Sequence, residues 1–330
     1  MNPIKPSPEK ITSLATGGWS CAALGAAVKH SVFTHVDKGS HTVDEIARSA
    51  GLSQRGTRAL VDGLVGVGLL TVADGRYQNA PEAAEFLVEG KSSFLGGFAK
   101  FTLEELDNWA QLAEVVKTGA PAEDINFDEN PFWEDLVLSI APSSFPIAQA
   151  AAKRLRIAGA GPISILDIGG GSGVYAAVFL KANPQATATQ LDWANVNRVA
   201  RSFVEKHGVA DRFRTIDGDF HKIDFGIARY DVAVYSHIAH SETPADNVAV
   251  FRKLRGALKE GGTLVVIDFV QADDRSGPPF ALLFHLNMLI HTQGGATYRQ
   301  CEYRAWLAEA GFRQVDIEPT EGPASLVYAR

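Results

Sequence analysis

Between an apolar stretch and a predicted helix, this chain carries Leu166-Asp-Ile-Gly-Gly-Gly-Ser-Gly173. Glycines at such a junction let the backbone turn tightly and let a ligand approach the main chain at the positive end of the following helix. Asp192 follows at the end of the next apolar stretch, about 20 residues on, where an acidic side chain takes both hydroxyls of a ribose. The spacing Gly171-x-Gly173-x-x-Ala176 also fits a dinucleotide fingerprint, which makes a nicotinamide dehydrogenase a competing reading. Asp167, directly before the glycines, opposes it: an anion there repels a pyrophosphate and suits a cation such as a sulfonium. Gly218-Asp219-Phe220 adds a further landmark, with Asp219 able to accept from an adenine amino group and Phe220 able to pack on its ring. In that order, the three features point to a positively charged nucleoside cofactor.

These residues need strand ends to sit on. From Pro162 onward, short apolar strands alternate with helices: Ile163–Ile168, helix Val174–Lys181, strand Thr187–Leu191, helix Val196–His207, strands Arg212–Ile216 and Tyr230–Tyr235, helix Pro244–Leu258 and strand Thr263–Asp268. Such alternation implies a doubly wound, mostly parallel sheet with its ligand outside the carboxyl ends of the strands. Upstream, Ser7 to about His35 reads as helix, with Ile11, Leu14, Leu24, Ala27 and Val28 spaced for one face. Thr42 and Glu45 form a capping-box pattern ahead of a helix that Gly51 ends. A second helix from Ser53 is expected to carry Leu60, Leu64 and Val67 inward, and Leu69–Val72, the turn Asp74-Gly75 and Arg76-Tyr77 make a hairpin. This is a winged-helix pattern. Ser92 to about Ala160 reads helical, with Phe94, Phe98, Phe101, Leu106, Trp109, Leu112 and Val116 recurring at helix spacing, most of the aromatics among them expected to pack in a core, and a polar break at Pro121–Asn130.

A winged helix raises DNA binding, but residues 1–95 hold nine Lys/Arg against nine Asp/Glu, and the whole chain carries a net charge of -7. A neutral module lacks the charge that neutralises phosphates, so no nucleic-acid partner is expected and a structural or dimerising role fits better. Met1–Lys10 is proline-bearing and does not read as a signal peptide. The most apolar helical stretch identified, Phe280–Ile290, is too short to cross a bilayer, so no membrane association is expected. Cys21 and Cys301 match no disulfide framework or metal spacing, and a cytoplasmic location is expected.

With these motifs in place, Leu166–Asp268 resembles the class I S-adenosylmethionine-dependent methyltransferases. With its winged-helix module and linking helices, nearly the whole chain is similar to the O-methyltransferases of plant phenolic and bacterial secondary metabolism. The resemblance implies a seven-stranded Rossmann-like domain at 161–330, a winged-helix dimerisation domain at 1–95 and a helical linker lining the acceptor pocket at 96–160. It further implies a homodimer, S-adenosylmethionine as cofactor without a metal, and transfer of a methyl group to a hydroxyl of an aromatic or polyketide-like acceptor. Gly169, Gly171, Asp192, Asp219 and Phe220 match the family's cofactor-binding positions, and Asp167, Gly170, Trp193 and Ser236 complete the expected set.

The family's histidine base aligns with His240 in Ser236-His237-Ile-Ala-His240-Ser-Glu242, and His237 is the second candidate. An imidazole titrating near neutrality can take the proton of an attacking hydroxyl. Two family carboxylates are replaced, by Ser241 and Thr297, so the ring is expected to lack an orienting acid unless Glu242 serves. The resemblance assigns Phe132, Leu136, Ile140, Asn287 and Met288 to the acceptor pocket, with Trp133 beside them. These are mostly apolar, as a planar acceptor requires. His285 and His291 lack a third ligand at metal spacing. N- or C-methylation and a cofactor-binding member that no longer methylates are the alternatives within the family. A cofactor-sensing winged-helix regulator is the alternative outside it.

Overall fold

The computed structural model describes residues 6–121, 125, 127 and 129–330, so Met1–Lys10 and Pro121–Asn130 fall partly outside the described residues. The chain divides into two compact units, residues 1–107 and 108–330.

The first unit contains α1 (Glu9–Ala15), α2 (Gly17–Lys29), α3 (Val32–Asp37), α4 (Val43–Ala50), α5 (Gln54–Gly66), the hairpin β1 (Leu70–Ala73) and β2 (Arg76–Asn79), α6 (Pro81–Phe86) and α7 (Gly96–Glu104). The capping box forms as read: the Glu45 N–H donates to Thr42 Oγ1 and the Thr42 N–H donates to Glu45 Oε2 at 2.9 Å. Asp74 and Gly75 both take positive φ, the twist that a two-residue hairpin needs. Phe33, Ile46, Leu64, Leu70 and Tyr77 are fully enclosed in this unit's core.

Several inward assignments fail within the single chain. Val67 is exposed, and Ile11 and Leu14 are each 73% exposed, as is Trp19 at 75%. Of the seven apolar residues at helix spacing between Phe94 and Val116, Phe94 packs against the first unit's core but none is fully buried; the buried positions there are Gly96, Ala99 and Val115. The 21-residue run Glu9–Lys29 holds an 18-residue window of mean hydropathy 1.3, long and apolar enough to cross a bilayer by length and composition, unlike the shorter Phe280–Ile290. A division at 107 rather than 95 follows from α7 packing on α2, where Gly25 lacks the Cβ that would strike Leu103 at 2.5 Å.

In the second unit, α8 (Leu106–Ala110) runs through the boundary and α9 (Leu112–Thr118) and α10 (Pro131–Arg154) follow. The Rossmann-like part contains β3 (Ser164–Ile168), α11 (Val174–Ala182), β4 (Thr187–Asp192), α12 (Ala194–Lys206), β5 (Phe213–Asp217), β6 (Tyr230–Ser236), α13 (Pro244–Ala257), β7 (Leu258–Asp268), α14 (Pro279–His291), α15 (Gln300–Glu309), β8 (Val315–Pro319) and β9 (Ser325–Ala329). The seven strands lie in the order β5-β4-β3-β6-β7-β9-β8. The first five pair in parallel, and β9 runs antiparallel to both its neighbours. Helix α11 is buried from Val174 to Leu180, as its all-round apolar sequence demands. The chain leaves β3 toward β4 on one side and reaches β6 on the other, so the switch point falls at the carboxyl ends of β3 and β6.

Candidate active site

The glycine turn leaves β3 at that switch point. Gly169, Gly171 and Gly173 all have positive φ. A Cβ on Gly170 would lie 2.6 Å from Gln190 Oε1 and 2.8 Å from the Asp167 carboxyl carbon, so only glycine fits. Asp192, at the end of β4, holds the turn from below: the Gly171 N–H donates to its Oδ2 at 2.9 Å and the Trp193 N–H to its Oδ1 at 2.8 Å. The carboxylate is therefore a strut of the turn, and Trp193 is the N-cap of α12. Burial raises Asp192 to about 7 against the pull of those two backbone donors.

Asp167 is fully enclosed, and neither of its carboxylate oxygens has a hydrogen-bond partner. Burial, with the nearby Asp192 charge, raises it to about 8. A buried carboxyl that nothing among the described residues satisfies is costly unless a ligand pairs with it. This fits a cation and disfavours a pyrophosphate, as the residue's place before the glycines suggests. The turn also packs on α10, where a Cβ on Gly171 would meet Val137 at 3.2 Å. Val137 was not among the residues picked out, because its neighbours Leu136 and Phe132 carry the more conspicuous side chains.

Past β5, Gly218 takes φ 141 and Asp219 accepts the His221 N–H at 2.9 Å. Burial pushes the Asp219 carboxyl up, but that hydrogen bond and Lys222, 3.1 Å away, outweigh it and hold the carboxyl below its usual range. Phe220 is half-buried and meets Tyr235 edge-on. Ser236, at the end of β6, is buried beside the switch point.

The base loop follows β6. His240 is only 7% exposed. Its ring Nδ1 lies 2.7 Å from Asp268 Oδ1, and its backbone N–H donates to Asp268 Oδ2 at 3.0 Å. Burial pushes Asp268 up, but the His240 and His237 rings and the Phe269 N–H hold it below the ordinary carboxylate range. An ionised carboxylate only accepts, so Nδ1 carries the proton and Nε2 is left as the basic nitrogen. The expectation of a ring without an orienting acid is thus corrected: Asp268, at the end of the neighbouring strand β7, supplies it. Neither Glu242 nor Thr297 does. The Thr297 hydroxyl donates to the Ala281 carbonyl and accepts from Gln271 Nε2 at 2.6 Å, fastening α14. The base loop's own path is set by Gly295, where a Cβ would meet the His240 carbonyl at 2.5 Å.

His237 also has positive φ, and its Nδ1 is buried without a partner. Burial, against a smaller pull from Asp268, lowers its pKa to about 4, which makes it a poor proton acceptor at neutral pH. Among the described residues, one His/Asp grouping has metal-like spacing: ligand atoms of His237, His240 and Asp268 lie within 4.8 Å of one another. Both oxygens of Asp268 are engaged by His240, one by its ring and one by its backbone N–H.

An aromatic wall surrounds the pair. Phe269 stacks near-parallel to His240 at 5.8 Å, Phe284 meets it edge-on at 4.9 Å, and Phe280 stacks on Phe284. None of these three was picked out, because nothing in their spacing marks them as neighbours of His240. The expected acceptor residues gather elsewhere in the unit. Phe132 and Trp133 are in edge contact, and Phe132 lies 6.3 Å from His291 at the end of α14. Asn287 uses its carbonyl for the His291 ring, Met288 is buried, and Leu136 and Ile140 are half-buried on α10.

A glycine turn, three acidic residues and a His–Asp pair at the switch point of this sheet define a class I methyltransferase, preceded by a separate helical module. Comparison with known proteins takes the assignment further. Residues 151–313 match the model of the O-methyltransferase domain, and residues 12–89 match that of the O-methyltransferase dimerisation domain. The chain is 30% identical over 326 residues to the 3-hydroxy-5-methyl-1-naphthoate 3-O-methyltransferase of Streptomyces sahachiroi, covering 95% of this chain and 92% of that protein. A crystal structure of a Nostoc punctiforme protein assigned as an O-methyltransferase superposes with a TM-score of 0.91 at 28% identity, covering 99% of both chains. Human N-acetylserotonin methyltransferase, solved with S-adenosylmethionine, shares the fold at a TM-score of 0.86, 21% identity and 100% and 99% coverage. The chain belongs to the O-methyltransferase family and is an S-adenosylmethionine-dependent methyltransferase.

Proposed function

We propose that this enzyme methylates a hydroxyl of a small aromatic or polyketide-like metabolite, working as a cytoplasmic homodimer. The observation that carries the reading is the His240–Asp268 pair within an aromatic wall, at the strand ends that also bear Asp167 and the glycine turn. When bound, the cofactor supplies an electrophilic methyl group on a sulfonium. Asp167 and Asp192 hold its cationic end and its ribose, and Gly169–Gly171 admit it to the main chain. Trp193, Asp219, Phe220 and Ser236 border it. Asp268 keeps the proton on His240 Nδ1, so Nε2 takes the acceptor's hydroxyl proton as the oxygen attacks. Phe269 and Phe284 hold a flat ring against that nitrogen, and Phe132, Trp133, Leu136, Ile140, Asn287 and Met288 form the outer part of the pocket. The naphthoate hydroxyl named for the Streptomyces relative is an acceptor of this kind.

The test is transfer from methyl-labelled cofactor to a panel of phenols and hydroxynaphthoates, with the product's methyl located by NMR. An O-methyl signal is expected. A label found only on carbon or nitrogen overturns the reading. For the dimer, the exposed Ile11, Leu14 and Trp19 are the side chains a second copy would cover, the last two within the stretch matched to the dimerisation model and Ile11 next to its start. Sedimentation should show a dimer that Trp19→Asp weakens, and a monomeric unmodified protein would refute it.

A further inference from the structure

Two loops meet at the edge of this site through an ion pair that the reaction as described does not use. His221 Nε2 lies 3.0 Å from Glu242 Oε2. His221 directly follows Asp219 and Phe220, while Glu242 lies two residues beyond His240. The Glu242 side chain is only 13% exposed. A carboxylate so enclosed depends on its partner being a cation.

The rest of each loop is anchored to the body of the unit. Lys253, from α13, donates to the carbonyls of Phe220 and Ile223, and so pins the first loop. The second is held by Tyr298, whose hydroxyl donates to the Glu242 carbonyl at 2.6 Å, and by Asn247, which donates to the Ala239 carbonyl at 2.8 Å. Glu242 therefore sits on a short, braced segment that includes His240.

We propose that the His221–Glu242 pair is a positioning clasp that couples occupancy of the cofactor's adenine end to the setting of His240. This rests on the reading that the Asp219–Phe220 loop borders the cofactor. With the loop seated on the cofactor, His221 holds Glu242 and with it the base segment. With the clasp broken, each loop settles by itself. Protonation of His221 gates the clasp. The hydrogen bond that the ring donates to Glu242 raises it above its ordinary pKa, against its partial burial. The groups facing it are Glu242 from the base loop, Asp219 and Lys222 on its own loop, and Asp246 and Lys253 from α13. The pair is an ion pair while the His221 ring is protonated, and it loses its charge as pH rises through the His221 titration.

The experiment uses the full-length protein with His221→Gln, Glu242→Gln, the double variant and His221→Lys. S-adenosylhomocysteine binding is read by calorimetry, and kcat and both KM values are read from pH 5.5 to 9. Each single Gln variant should weaken cofactor affinity and lower kcat together, by about three- to tenfold, and the double should be no worse than either, because all remove one interaction. Affinity in the unmodified enzyme should fall on the alkaline side, the Gln variants should be flat there, and His221→Lys should restore affinity without the pH dependence. Additive losses, or a lower Tm with affinity and kcat unchanged, overturn the clasp. Asp219→Ala separates the two failures. If it leaves affinity intact, the loop's cofactor role is wrong; if it weakens binding while the Gln variants do nothing, only the clasp is wrong.

Discussion

The glycine turn after β3 and the base loop after β6 leave adjacent, parallel strands, yet they are built on opposite terms. The turn is built on its backbone. Its glycines take the positive φ that the bend requires, and the Gly171 N–H donates to the Asp192 carboxylate at the end of the neighbouring strand. The base loop is built on side chains. His240 is oriented by Asp268, 28 residues later and on a different strand, and enclosed by phenylalanines from that strand's end and from α14. Damage to the first should therefore appear in cofactor binding, and damage to the second in the chemical step.

The largest effect should come from His240→Ala. Removing a general base costs about 10²- to 10⁴-fold in kcat, while S-adenosylhomocysteine affinity by calorimetry should hardly change. His237→Ala is the control, with a far smaller loss, since its ring is already neutral and a weak base. A larger loss in His237→Ala than in His240→Ala would reverse the assignment of the base. Asp268→Asn comes next. It keeps the shape but removes a charge-assisted hydrogen bond of about 1.5–3 kcal/mol, roughly 10- to 100-fold in kcat, again with cofactor binding intact. Unchanged kcat in that variant would mean that the ring needs no orienting acid. Thr297→Glu, by contrast, should lower activity and Tm, because it breaks the Gln271 and Ala281 hydrogen bonds that fasten α14.

On the cofactor side the sign inverts. Asp192→Ala should weaken cofactor binding at least about tenfold through its lost charge-assisted hydrogen bonds. It should also lower Tm, because Gly171 and Trp193 lose their acceptor. The smallest signal is protonic. Asp167 is raised from 3.8 to about 8 in the folded, cofactor-free protein. The folded state therefore holds a proton that the unfolded chain releases, and stability falls as pH rises through that window. Pairing with a cationic cofactor should expel about one proton near neutral pH. Calorimetry in buffers of different ionisation enthalpy should show this release in the unmodified protein and its loss in Asp167→Asn. Equal release from both would remove Asp167 from the cation's side.

Local chemistry explains why so much was legible in the chain. Alternating short strands and helices announced the doubly wound sheet, the capping box and the Asp74-Gly75 turn announced the winged module, and the glycine run behind Asp167 announced the tight turn after β3. Each of these is decided by residues close together in sequence, because backbone conformation and capping are short-range forces. Side-chain burial was less legible. Ile11, Leu14 and Val67 carry an apolar pattern, yet periodicity identifies an apolar face without saying whether this chain covers it. The base's environment was beyond the sequence altogether. Asp268 could be read as the end of a strand, but its partnership with His240 depends on β6 and β7 lying side by side, which sheet order alone decides. The same holds for Phe269 and Phe284 around the imidazole, and for His221 against Glu242. Distant residues become neighbours only when the sheet closes, so the chemistry of single residues was written in the sequence and their pairing was decided by the tertiary structure.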